Sequence, residues 1–522
     1  MFWTHASQAD INDWGELGNQ GWSWDSLLPY FMKSETYEAP SPQTSKDLGI
    51  SFNDPSVHGE HGPVVDAFPE TYQPFQEAWW RTYQNLGLGV DGDPKGGLAL
   101  GGFTNPITVD QKTRTRSHAG VAYYKPVESR PNLHVITEAL VQEVEFGKKN
   151  QKGQLTATGL KFSAKSKDYT VRATKEVIIS SGSYGSPQIL ELSGIGSSKI
   201  LKKYDIDVLY ENENVGENLQ DHMIVPLSFE AQDGVFTYDA FKNKTLFDDA
   251  LAEYIANHTG PLSDGICSSA LLSYAQVLPA DQKTKVPKGI DKILTPAQAA
   301  ANPGLAHQYE LTRRKVLNAH ESSAQHVLIA NGLTPTDSDD AAKYLSNTLP
   351  GSYLGLAAVL EHPFSRGSVH IKSPDPANYP VIDLNYLGAD VDLEIFADIM
   401  LQLQTVARTE PFASLLKGKG TVYQPGFVEL NEGNVRAQVK STMSSEYHPC
   451  GSCTMNARDK GGVVDERLKV HGTSNVRVVD ASIFPMQVRA NSKLILYYLC
   501  PVKYLSSHAD KRCQQSRALC MQ

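Results

Sequence analysis

The run Lys175-Glu176-Val177-Ile178-Ile179-Ser180-Ser181-Gly182 constrains the fold more than any other stretch of the chain. Its apolar centre is continuous, without the in–out alternation of a half-exposed strand, and it ends in small residues. Strands buried on both faces read this way, and they belong to the parallel sheets of α/β proteins. Ser186-Pro187-Gln188-Ile189-Leu190-Glu191-Leu192-Ser193-Gly194 follows, which predicts a helix with Ser186 as N-cap, Pro187 at its first position and Gly194 as its stop. A strand, a small-residue turn and a helix N-terminus together seat a phosphate-bearing cofactor, because unpaired amides and the helix dipole converge there. A second strand, Asn475-Val476-Arg477-Val478-Val479-Asp480, ends in Ala481-Ser482 and can set its backbone N–H groups against the same cofactor.

Four extended segments alternate between short polar turns, which predicts antiparallel strands at Leu133–Thr137, Val141–Phe146, Leu155–Phe162 and Tyr169–Ala173. Upstream, residues 1–35 are amphipathic and predict helix, with Asp25 as an N-cap. Residues 36–70 are rich in Pro, Gly, Ser and His and predict a long loop, followed by a helix over Tyr72–Leu86. Between 226 and 440 the pattern predicts helices at Leu246–Asn257, Asp339–Leu345 and Val391–Arg408. Strands are predicted there at His326–Ile329, Tyr353–Leu360 and Gly367–Lys372. The chain of 522 residues is long enough for two domains. The expected division is a discontinuous cofactor domain, 1–225 and 441–500, with 36–104 partly loop or lid. A substrate domain, 226–440, and an atypical tail, 501–522, complete it. The fold class is α/β with an α+β part carrying an antiparallel sheet.

A net charge of −10 argues against a nucleic-acid partner, which needs a concentrated basic face. No apolar run reaches the roughly 18–20 residues of a membrane span. Met1 opens no secretory pattern, so the reading leans intracellular; the sequons at Asn243 and Asn257 leave secretion open. Three of the six cysteines, Cys500, Cys513 and Cys520, crowd the C-terminus and form no spaced disulfide framework.

Two short motifs carry less than their spelling. Gly87-Leu88-Gly89-Val90-Asp91-Gly92 spells a dinucleotide fingerprint, but a helix precedes it and Asp93-Pro94 follows, so it reads as a loop. Cys450-Gly451-Ser452-Cys453 has no second ligand pair for a metal and no thioredoxin context, so both thiols read as packing residues and no metal site is expected. His448 stands out among the histidines. It sits on a Pro/Gly turn within Tyr447-His448-Pro449-Cys450-Gly451, and it is the first candidate to move a proton. His222, in the polar stretch Asn214–His222, reads as a hydrogen-bond hub fixing a loop near the cofactor.

Together these segments resemble the glucose-methanol-choline (GMC) oxidoreductases, flavoenzymes that oxidise alcohols. The residues that carry the resemblance are Gly182–Gly196, Asn214–His222, His362–Val369 and Tyr447–Met455, in the family's order. The resemblance implies FAD as cofactor, a GMC-type FAD-binding domain with an incomplete Rossmann-like core, and a substrate-binding domain. It further implies His448 as catalytic base and Asn491 as the second active-site residue. Val141 would lie at the adenine end of FAD, Asp480 and Ala481 beside the diphosphate and ribityl chain, and Met1, Phe2 and Ser492 near the flavin. The implied partner is a small-molecule alcohol; the final electron acceptor, oxygen or a quinone-like molecule, is left open. In the family a Rossmann βαβ unit precedes the segment resembling Met1–Trp14, so this chain is expected to lack it, and Lys493–Pro501 departs from the family's small-residue helix. Two further expectations follow: a lyase or cyclase using the same histidine without net redox, and a truncated, non-catalytic remnant.

Overall fold

The computed structural model describes residues 2–278, 285–333, 350–421, 423–424 and 429–491. Val177–Ile179 forms a buried strand and pairs in parallel with Val476–Val478. Both strands bury their apolar side chains in a core shared with Trp14, Trp22, Leu190, Cys450, Cys453 and Met455. Beside them Ala139–Phe146, Ala157–Ala164 and Lys167–Arg172 form a three-stranded antiparallel sheet. Leu133–Thr137 is not a strand: Val135 and Ile136 are exposed, and β-branched residues form strand only where a neighbour pairs with them.

The helix after the buried strand starts earlier than its sequence suggests. It spans Gly182–Leu192 with Ser181 as N-cap, and Pro187 lies in its interior. Pro187 has no N–H to give the carbonyl of Ser183 one turn back, and the Ser452 hydroxyl donates to that carbonyl instead, at 2.6 Å. The missing helical bond thus becomes a tether to the turn that carries His448. Two other local expectations change. Ser23, not Asp25, is the N-cap of Trp24–Ser34, and Asp25 occupies the first turn, where the helix dipole favours a carboxylate. Residues 36–70 are not one loop: Glu35–Glu38 pairs in parallel with Val64–Ala67, and Pro42–Asp47 is helical. Charge hid this strand pair, because buried Glu35 and Asp66 both accept from Lys95 Nζ, at 3.0 and 2.6 Å.

The second region is built on a seven-stranded antiparallel sheet. Met223–Glu230, Tyr353–Leu360 and Ala324–Ile329 lie side by side at its centre. One face, including Val225, Leu227 and Leu356, packs against Ile395, Ile399 and Leu403 of the helix Asp390–Ala407. The other face gathers Ile224, Val327, Ala357 and Val359 with Phe2. Alternate residues of one strand therefore serve two different packings. Segments counted with the cofactor region also contribute here: Gly101–Thr104 pairs with Ser268–Leu272, and Pro74–Asn85 lays Trp79 and Tyr83 into the sheet's core. The expected helix Asp339–Leu345 lies outside the described residues. Among the described residues no helix is long and apolar enough to cross a membrane.

Candidate active site

His448 is fixed through its backbone, which leaves its ring free for other partners. Its N–H donates to Asp221 Oδ1 at 3.0 Å and its carbonyl accepts from Gln487 Nε2 at 3.0 Å. Asp221 is itself held by the hydroxyls of Ser445 and Tyr386, at 2.5 and 2.6 Å. Cys450 exchanges both backbone hydrogen bonds with Gln220, at 2.8 and 2.9 Å, so the turn is stitched to the segment ending in His222. The Cys450 and Cys453 thiols are free and buried, and burial pushes both up, as suits packing residues.

The ring of His448 meets three side chains. Nε2 lies 3.1 Å from Asn491 Nδ2, Nδ1 lies 3.0 Å from His222 Nδ1, and Glu446 Oε2 is 3.3 Å from the same Nδ1. Burial opposes charge on His448, yet Glu446 and then Asp221 outweigh it and raise the imidazole's pKa. Burial, and next the positive charge of His448, hold His222 well below its ordinary value. Asn491 is oriented from behind: the N–H of Ala490 donates to Glu361 Oε1 at 2.8 Å, and the backbone carbonyl of Glu361 lies 3.1 Å from His222 Nε2. Burial pushes the Glu361 carboxyl up to about 7. Tyr447 and Ala490, which precede the two candidate residues, have φ of 63° and 59°. Neither is glycine, so each costs on the order of 1 kcal/mol, and the surrounding hydrogen bonds hold that strain where the side chains must be aimed. Nδ1 of both histidines and Glu446 Oε2 lie within 4.8 Å of one another, a spacing that can hold a cation and also one that shares protons.

A cofactor seat adjoins this turn. Gly182 opens the helix Gly182–Leu192 with φ of 73°, and a Cβ there would meet nothing within 4 Å. The buried Ser180 hydroxyl beside it has no hydrogen-bond partner. Asp480 Oδ2 accepts from Gly182 N and Ser186 Oγ, at 3.0 and 2.5 Å, which locks the two strand ends together. Ser183 Oγ reaches the carbonyl of Pro449 at 2.7 Å, joining the seat to the His448 turn. At the far side Asn491 Oδ1 is buried without a hydrogen-bond partner, and Glu446 Oε2 has only the His448 ring and the His222 ring near it. Open backbone at a helix N-terminus, with an unmet polar group beyond it, fits a phosphate-bearing cofactor.

Comparison with known proteins identifies the family. The family model described as GMC oxidoreductase matches in two parts, residues 1–224 and 363–500. The GMC oxidoreductase family protein Mala s 12 of Malassezia sympodialis is 33% identical over 508 residues, 96% of this chain and 76% of that protein. The chain belongs to the GMC oxidoreductase family. The dehydrogenase citC of Monascus ruber is 32% identical over 513 residues, covering 95% of this chain and 80% of its own length. A solved FAD-dependent oxidoreductase from Chaetomium thermophilum superposes with a TM-score of 0.83 at 27% identity, over 96% of this chain and 82% of that one. The chain is accordingly an FAD-dependent oxidoreductase of GMC fold, with mixed helix and sheet.

Within that GMC frame the structure brings His448 and Asn491 together and sets Phe2 on the apolar face of the large sheet. Val141 is half-buried in Ala139–Phe146 and packs toward the core of the parallel strands. The Asp480 carboxylate is turned inward onto Gly182, Ser186 and Ser482, so it can meet a cofactor only through its backbone; Ala481 beside it is buried. Met1 and Ser492 lie outside the described residues. His222 is a hydrogen-bond hub, as its motif suggested: its ring meets His448 Nδ1 and the carbonyl of Glu361, and its own carbonyl accepts from Glu446 N. Sequence reasoning missed Glu446, Glu361 and Asp221. The signal was adjacency, since each directly precedes, or stands two residues before, a histidine singled out by its motif.

Proposed function

We propose that this chain oxidises the CH–OH group of a small-molecule alcohol, with His448 as the base and Asn491 holding the hydroxyl oxygen. The observation that carries the reading is the approach of His448 Nε2 and Asn491 Nδ2 to 3.1 Å beside a polar atom left unpaired. An alcohol carbon is a poor hydride donor until the hydroxyl proton has left. His448 Nε2 takes that proton; an imidazole is the side chain suited to it, and Glu446 raises its basicity further. As charge builds on the oxygen, the amide N–H of Asn491 donates to it, and the fixed backbone at Ala490 means this donor need not reorganise. FAD, when bound, supplies the hydride acceptor at flavin N5. The backbone at Ser180–Gly182 and Ala481 would hold its phosphate-bearing part, Val141 its adenine end, and Phe2 would flank the ring.

The body of the substrate is read from the sheet. Ile224, on the strand that begins directly after His222, packs with Phe2 and with Val327, Ala357 and Val359 of two other strands in a buried apolar cluster. An apolar wall of this kind beside the histidine pair favours an alcohol with an apolar body. The test is anaerobic mixing of the FAD-loaded protein with apolar primary and secondary alcohols, following the loss of the flavin's visible band. Bleaching in the wild type and none in His448→Ala, with flavin still bound, supports the reading. Product formation with the flavin colour unchanged and no acceptor present would replace it with the lyase or cyclase.

A further inference from the structure

We propose that His222, backed by Glu446, is a positioning residue that keeps the proton of neutral His448 on Nδ1 and so leaves the lone pair on Nε2, beside Asn491. The functional weight of this inference rests on His448 being the base; the placement of the proton does not.

The hydrogens can be assigned one at a time. The backbone carbonyls of Val488 and Glu361 both face the His222 ring and can only accept; Glu361 O lies 3.1 Å from Nε2, so that nitrogen carries the proton of the neutral ring. Burial, the largest influence on its ring, holds His222 in its neutral form. A neutral imidazole protonated on Nε2 has a bare Nδ1. That nitrogen lies 3.0 Å from His448 Nδ1, and a contact of this length between two ring nitrogens needs one hydrogen between them. Only His448 can provide it. Glu446 Oε2, 3.3 Å from the same Nδ1, is a second acceptor for the same hydrogen and has no other hydrogen-bond partner. Asp221, the remaining carboxylate on this turn, is spent on the backbone of His448 rather than on its ring.

The opposite tautomer of His448 would set the lone pairs of the two Nδ1 atoms against each other and would leave that same His448 lone pair facing the Glu446 carboxylate. It would also put its own N–H on Nε2, where the alcohol's proton has to go. Nothing on the Nε2 side of the ring imposes a choice, because an amide such as Asn491 can present either its N–H or its oxygen. The selection therefore comes from behind the ring. The adjacent pair Asp221-His222 divides the task, the carboxylate fixing the backbone of His448 and the imidazole fixing its proton.

The test is a long-range proton–nitrogen correlation spectrum of FAD-loaded protein labelled with 15N-histidine, taken at a pH where His448 is neutral; it reads directly which ring nitrogen bears hydrogen. The wild type should show His448 protonated on Nδ1. His222→Asn keeps an acceptor oxygen near the position of Nδ1 and should keep that pattern. His222→Ala combined with Glu446→Gln should shift the ring toward the Nε2–H form and slow flavin reduction roughly 10- to 100-fold beyond either single change. A wild-type ring protonated on Nε2, or a double variant whose tautomer is unchanged, overturns the proposal. Should the double variant not accumulate, the wild-type spectrum decides. If the tautomer is as stated but His448→Ala reduces flavin normally, the base assignment fails while this one stands.

Discussion

His370 has both ring nitrogens on carboxylates, Nδ1 at 2.8 Å from Glu191 Oε1 and Nε2 at 3.0 Å from Glu217 Oε1, whereas His448 meets one carboxylate, one neutral imidazole and one amide. Burial opposes charge on His370, but the two carboxylates outweigh it and push the imidazole up to about 9. It is a cation at neutral pH with no lone pair to offer. Its work is mechanical: Glu191 in the helix Gly182–Leu192 is clasped by His370 and by the N–H of Ile371, at 2.8 Å, and so that helix is fastened to the strand Ser368–His370. His448 is raised as well, but only one of its ring nitrogens faces an acid. The charge of the acceptors around an imidazole decides whether it keeps its proton or exchanges it.

The largest expected effect separates the two histidines by rate. His448→Ala should lower the rate of flavin reduction by about 10²–10⁴-fold, the usual contribution of a positioned base, while His370→Ala should leave that rate within a few-fold. Stopped-flow reduction of both variants, normalised to bound flavin, checks this, and equal losses would erase the distinction. Next comes Asn491→Ala, which removes the one donor next to His448 Nε2. A preorganised donor of this kind contributes about 10²–10³-fold, and the loss should fall on the limiting rate rather than on substrate affinity.

Much of the scaffold behind this contrast was legible in the sequence, and the reasons are local. Val177–Ile179 and Tyr353–Leu360 announce themselves because every inward position is apolar. His448 is legible because proline and glycine surround it. Glu35–Glu38 is not, because its buried partners are charges that cancel only in three dimensions, through Lys95. The start of the helix at Gly182 was misread because Pro187 is normally a first-turn residue; the hydroxyl that rescues it, Ser452, comes from a distant turn. The pairing of His222 with His448 escaped for the same reason. The partners lie 226 residues apart, and no spacing rule reaches that far.

Stability should also distinguish the two rings. His370 has a folded-state pKa of about 9 against an ordinary 6.5, so its clasp contributes fully below about 6.5 and is lost as pH rises through 9. His370→Gln should therefore cost roughly 1–3 kcal/mol near pH 6, with the gap to wild type closing by about pH 9. Denaturant unfolding across that window measures it. A gap that stays constant with pH would mean that packing, not charge, fastens the helix.

The smallest effect is the finest probe of His448. Its acid partners are Glu446 on its own turn and Asp221 from the segment entering the sheet, with neutral His222 between them. Burial acts against the charged ring and Glu446 is the first group to overcome it, so Glu446→Gln removes the main raising influence and the pKa of His448 must fall. A base works only when unprotonated. The reaction rate of the wild type should thus climb with pH through a value above 6.5, and in Glu446→Gln that climb should move to lower pH. The plateau should drop slightly, because a weaker base takes the proton less readily. Under acid conditions the variant would then run closer to its own maximum than the wild type does, although it is the slower enzyme at high pH. A displacement of the normalised pH profile to lower pH in the variant separates a tuned base from a histidine that merely fills space, for which the normalised profiles would coincide.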